Sequence, residues 1–123
     1  MRALYEGTKI ERQRQAVRAY RLADPLRNKR QRRNSKLKSA FGISILEYEE
    51  LLKLQNNVCA ICKNTERVWD SRAGELRRLA VDHCHMTYKV RGLLCTNCNQ
   101  GLGKFKDDIN LLQKALEYLT CGH

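Results

Sequence analysis

The apolar positions of this chain fall into a few separated stretches, and their spacing predicts a mixture of helices and strands. Over residues 8–23, Ile10, Ala16, Val17 and Tyr20 form a thin stripe in an Arg- and Gln-rich background, which predicts a weakly amphipathic helix. Asp24-Pro25 should end it, because the residue before a proline avoids the helical region. The basic stretch that follows is expected to become a second helix on binding. Ser44-Ile45-Leu46-Glu47 reads as a capping box, with Ile43 and Tyr48 spaced as a hydrophobic staple. Ile45, Leu46, Tyr48, Leu51, Leu52 and Leu54 then give one broad apolar face, ended by Asn56-Asn57.

Farther along lie residues 76–83, which alternate loosely, and residues 89–94. Each reads as a strand, joined by a short hairpin-like link at 86–88. The chain is expected to turn helical after Cys95 through Phe105. A last helix over 108–119 carries Ile109, Leu112, Leu116 and Leu119 at helical spacing, expected to pack into the core. The fold class is therefore α+β. No apolar run approaches the ~20 residues of a membrane-spanning helix, so no membrane partner is expected.

Charge changes the picture. The 123 residues carry 24 Lys and Arg against 13 Asp and Glu, a formal net of +11. Residues 1–40 hold 13 of the basic residues and only 3 acids, so +10 of the excess lies in the first third. Arg27, Lys29, Arg30, Arg32, Arg33, Lys36 and Lys38 follow one another without an acid between them. Like charges this close repel, and the stretch gains stability against an anion. Nucleic acid is the expected partner, with residues 1–40 as a DNA-binding extension and 41–123 as the functional domain. The first 20 residues are Arg-studded and lack an apolar segment, so a secretory signal is not expected and a cytoplasmic location is.

Six cysteines come next. Cys59-x-x-Cys62 and Cys95-x-x-Cys98 are two knuckles, each able to offer two thiolates to one tetrahedral ion. Together they predict a closed structural Zn2+ site, favoured over a disulfide framework. Cys121 reads as a spare thiol and Cys84 as a small buried side chain. The 32 residues between the knuckles exceed the loop of a simple zinc ribbon, so a folded insertion is expected.

That insertion holds Val81-Asp82-His83-Cys84-His85, with two of the chain's three histidines. Asp82 offers a hard oxygen to Mg2+, and histidine is the side chain suited to moving protons near neutral pH. Asn99, directly after Cys98, can supply a second oxygen. In a regular strand Asp82 and His83 would point to opposite faces, so the strand is expected to end or bulge there.

Leu79-Ala80-Val81-Asp82-His83-Cys84-His85, then Val90-Arg91-Gly92-Leu93-Leu94-Cys95, then Cys98-Asn99-Gln100-Gly101-Leu102-Gly103 resemble the phage recombination endonuclease VII family. Tyr48-Glu49-Glu50-Leu51-Leu52 and Val58-Cys59-Ala60-Ile61-Cys62 are similar to it too, so the resemblance covers about residues 41–108. The family belongs to the His-Me finger (HNH) nucleases. The resemblance implies a small zinc-stabilised ββα-metal core with flanking helices, Zn2+ on Cys59, Cys62, Cys95 and Cys98, and catalytic Mg2+ or Mn2+ on Asp82 and Asn99. It implies His83 as general base and His85 at the scissile phosphate, while Arg91 reads either as a phosphate contact or as an exposed strand charge. The implied activity is hydrolysis of DNA phosphodiesters, in double-stranded or branched DNA, by a monomer or homodimer. Relatives often carry Gly where this chain has Tyr88. Extra sequence precedes the core here, whereas in the junction-resolving relative it follows, so resolution and that relative's dimer architecture are not implied. The rival reading is a zinc-stabilised DNA-binding module without catalysis, which would need the cysteines and the basic arm but not Asp82, His83 or Asn99.

Overall fold

Thr8 opens the first helix, α1 (Lys9–Ala23), by a reciprocal cap. Its hydroxyl accepts the Glu11 N–H at 3.1 Å, and the Glu11 carboxylate accepts the Thr8 N–H at 2.8 Å. Asp24 then ends α1 and starts α2 (Pro25–Phe41) in one step. Pro25 takes the first helical position, where no N–H is needed, and Asp24 Oδ1 accepts the Arg27 N–H at 2.9 Å. The basic stretch is helical along its whole length. Gly42 closes α2 in the left-handed conformation at φ +72°, which glycine adopts without penalty. The computed structural model describes residues 8–120, apart from the side chain of Arg21. Cys121 lies outside the described residues.

The chain divides into two compact units, Met1–Ile45 and Leu46–His123. In the first, the α1 stripe stays exposed at Ile10, Val17 and Tyr20, and Leu37 is the buried residue of α2. The Arg27 guanidinium lies 4.0 Å over the Tyr20 ring, linking the two helices. Asn34 Oδ1 accepts the Ile45 N–H at 2.9 Å, tying α2 to the start of α3 (Ile45–Leu54). Asn56 and Asn57, both at positive φ, end α3 as expected, with the Asn57 N–H reaching the Leu52 carbonyl at 2.8 Å.

The second unit contains two separate hairpins. The first pairs β1 (Trp69–Asp70) with β2 (Glu75–Leu76), and the second pairs β3 (Ala80–His83) with β4 (Val90–Leu94). The single strand expected over 76–83 is therefore corrected. Leu76 belongs to the first hairpin, and β3 begins only at Ala80. The reason is local: Asp70 Oδ1 accepts the N–H groups of Arg72 and Ala73, and Gly74 takes φ +70°, so this segment folds back on itself. α4 (Thr96–Lys104) follows β4 directly and packs on both β3 and β4.

The core gathers on these strands. Leu93 and Cys59 are fully buried, with Tyr48, Leu79, Val81, Leu94 and Cys95 also buried. Burying one leucine contributes roughly 1.5–3 kcal/mol. The Tyr48 hydroxyl donates to the Leu79 carbonyl, anchoring α3 at the entry to β3. Gln55 acts as a side-chain strand: its Oε1 accepts the Leu93 N–H and its Nε2 donates to the Leu93 carbonyl, each at 2.9 Å. A Cβ on Gly92 would lie 3.2 Å from Gln55 Oε1, so glycine suits this close approach. The last helix, α5 (Ile109–Thr120), corrects a second expectation. Ile109, Leu116 and Leu119 are exposed rather than packed in the core.

Candidate functional site

The two knuckles converge. Sγ atoms of Cys59, Cys62, Cys95 and Cys98 all lie within 4.8 Å of one another. Cys62 and Cys95 are 3.8 Å apart, close to the edge of about 3.8 Å for a sulfur tetrahedron around zinc with Zn–S near 2.3 Å. Two backbone donors already face the sulfurs: Ile61 N–H to Cys59 and Cys98 N–H to Cys95, each at 3.4 Å. Burial pushes the Cys59 thiol up, but backbone donors from Cys95, Cys62 and Ile61 outweigh it and hold the group at about 6. Burial, then the neighbouring sulfurs, pushes Cys98 up to about 12. Four sulfurs this close share negative charge poorly unless a cation sits among them. The donor set and spacing fit a structural zinc ion.

Buried Glu66 sets the orientation of this site. Its carboxylate accepts from the N–H groups of Arg67 and Val68 at 3.0 Å and from the Thr96 N–H and hydroxyl at 2.8 and 3.0 Å. Burial raises its pKa, yet these four donors more than compensate and lower it overall. The carboxylate sits on the first N–H of α4, where helix geometry favours an anion. It joins the loop after the first knuckle to the helix that carries Cys98 and Asn99.

On the neighbouring hairpin the expected break in register is found between Asp82 and His83. Asp82 stands opposite Gly92, but His83 stands opposite Val90, leaving Arg91 as the extra residue. The usual alternation is thereby interrupted at the pair of interest. His83 and His85 have ring centroids 5.1 Å apart, and the Tyr88 ring stacks on His83 at 6.5 Å with planes 14° apart. Tyr88 takes φ +59° in the link, the conformation in which glycine costs least. Cys84 stays half-buried and outside the four-sulfur cluster; its pKa is lowered chiefly by the hydrogen bond with Thr87. Asn99 lies in the first turn of α4, its backbone N–H bonded to the Cys95 carbonyl at 3.0 Å.

Arg91 is more than an exposed strand charge. Its guanidinium grips Asp82 through both carboxylate oxygens, at 2.7 and 2.9 Å, and reaches Asp107 at 3.1 Å. The two carboxylates keep it firmly protonated. Asp107 Oδ2 also lies 3.1 Å from His85 Nε2. Reading the sequence missed Asp107, Glu66 and Gln55. Asp107 sits 25 residues from Asp82, in a turn after α4 where Lys106 and Asp107 both take positive φ. Among the described residues, no second group of three or more Cys, His, Asp or Glu side chains converges at metal-binding distance.

The basic residues Arg27, Lys29, Arg30, Arg32, Arg33, Lys36 and Lys38 all lie on α2, in the first unit, exposed except for half-buried Arg33. No described helix is long and apolar enough to cross a membrane.

Comparison with known proteins adds a lineage to this geometry. Residues 34–121 match the family model of recombination endonuclease VII. Two relatives, each named Gene 59 protein, come from Mycobacterium phages D29 and L5. Identity to the first is 40% over 86 residues, covering 69% of this chain and 48% of the relative. Identity to the second is 38% over the same length and shares. The chain therefore spans about half the length of the curated relatives it matches. No solved structure matches it.

Proposed function

The chain belongs to the recombination endonuclease VII family, and from that premise we propose that it is a metal-dependent DNA endonuclease of the His-Me finger (HNH) type. The observation that carries the reading is the break in register at Asp82/His83, on a hairpin followed at once by the helix that holds Cys98 and Asn99. In this reading β3, β4 and α4 form the ββα core, the four cysteines hold structural zinc, and residues 1–40 give a DNA-binding extension through the basic face of α2.

His83 takes a proton from the attacking water. His85 contacts the scissile phosphate, and Asp107 holds its Nε2 side in place. Each Asp82 oxygen accepts one bond from Arg91, which leaves lone pairs for a metal. Asp82 and Asn99 are the residues that would hold Mg2+ or Mn2+. When bound there, the ion would supply positive charge against the charge that develops on a phosphate oxygen and on the departing oxygen. Arg91, fixed between two carboxylates, presents a guanidinium beside the same site and can share it with a phosphate.

One observation favours the rival, a zinc-stabilised DNA-binding module. An arginine already neutralises Asp82, as it would if that carboxylate were structural. Incubating the protein with plasmid, four-way junction and single-stranded DNA under Mg2+ or Mn2+ decides between them. Cleavage by wild type that disappears in Asp82→Ala supports the nuclease. Binding with no cleavage of any substrate supports the module.

A further inference from the structure

The β1–β2 hairpin is built unlike the rest of the second unit. Trp69 and Leu76 stand directly opposite each other, so their side chains share one face of the hairpin. That face is open: Trp69 is 60% exposed and Leu76 48%. A free-standing tryptophan on a two-residue ladder adds nothing to the core, whose buried residues come from other segments.

The surrounding charge is lopsided. Arg67, Arg72, Arg77 and Arg78 are all exposed. The acids among them are engaged. Glu66 is buried under backbone donors, Asp70 accepts the turn amides, and Glu75 lies 3.9 Å from Arg78. Among the described residues, no acid lies within ion-pair distance of Arg67, Arg72 or Arg77. An exposed aromatic plane on a hairpin that also carries unpaired guanidinium groups matches one kind of partner well. A nucleic-acid base offers its flat face to the indole, and the phosphates beside it take the arginines.

We propose that this hairpin is a second DNA contact, in which Trp69 stacks on an unstacked base and Arg67 and Arg72 hold the adjoining backbone. The inference rests on the nuclease reading for its substrate, and it locates a DNA contact in the second unit itself. A base inside an intact duplex is covered on both faces, so the contact favours DNA with an unpaired or splayed position.

Trp69 is the chain's only tryptophan, so its emission reports this one site. Full-length, zinc-loaded protein is titrated with a labelled duplex and with the same duplex bearing an unpaired flap, with Ca2+ in place of Mg2+. The flapped DNA is expected to quench Trp69 and shield it from acrylamide. Trp69→Ala is expected to weaken flap binding by about 5- to 150-fold, the range for removing one base stack, while Trp69→Phe keeps most of it. Emission that stays unchanged while both DNAs bind and are cut under Mg2+ overturns the hairpin contact and leaves the nuclease reading standing. DNA that neither binds nor is cut overturns both. Emission that shifts with protein concentration alone assigns the face to a second copy and overturns the DNA contact.

Discussion

Glu66 illustrates how a buried charge can organise a site without touching its chemistry. Its four donors come from two segments that the cysteines also bring together. Because its folded pKa is lowered, its contribution is present above the ordinary carboxylate range and is lost as pH falls through the lower folded value. Glu66→Gln places an amide N–H₂ among donors and is expected to cost about 1–3 kcal/mol in denaturant titration at neutral pH, with the difference from wild type shrinking in acid. Tyr88 offers a change of opposite sign. Its left-handed conformation costs roughly 1–2 kcal/mol for a residue with a Cβ, against about 0.4–1 kcal/mol of extra unfolded-state entropy for glycine. Tyr88→Gly is therefore expected to raise stability by about 0.5 kcal/mol, read as a higher denaturation midpoint. Asp107→Asn removes the anion shared by Arg91 and His85. In the nuclease reading, cleavage should fall on the order of tenfold with zinc content unchanged, as expected for one charge-assisted hydrogen bond.

At the scale of elements, legibility followed the range of the forces involved. The stop at Asp24-Pro25 and the end of α3 at Asn56-Asn57 are set by groups within five residues, and both were readable from sequence. The knuckle spacing was readable because tetrahedral sulfur chemistry demands it. The β1–β2 hairpin was not, since its strands are two residues long and its turn depends on one aspartate and one glycine. The exposed face of α5 was misread because helical spacing of leucines shows that a face exists but not what covers it. Asp107, Gln55 and Glu66 act across 16 to 38 residues, a distance at which no local pattern carries information. Structural zinc is expected to be the element that holds the second unit together. Chelation should release one Zn2+ per chain and abolish its cooperative melt, since such sites supply folding energy directly. Protein purified without zinc, yet melting normally, would contradict this.

Across the whole molecule, charge and proposed chemistry are separated along the chain. Residues 1–40 carry +10 and residues 41–123 carry +1, so long-range attraction for a polyanion belongs to the first third. Replacing Arg27, Lys29, Arg32 and Lys36 with Gln is expected to flatten the dependence of log K on log salt by up to ~0.9 for each phosphate that is no longer neutralised. An unchanged slope would make the net charge a matter of solubility. In the nuclease reading, this charge delivers DNA to a hydrolytic site at His83. The most direct test of that reading compares wild type with His83→Ala under single-turnover conditions, with saturating Mg2+ and matched zinc content. The variant is expected to bind DNA as wild type does and to lose cleavage by about 10²-fold or more, the usual worth of a general base. Cleavage that persists at the wild-type rate would contradict that reading.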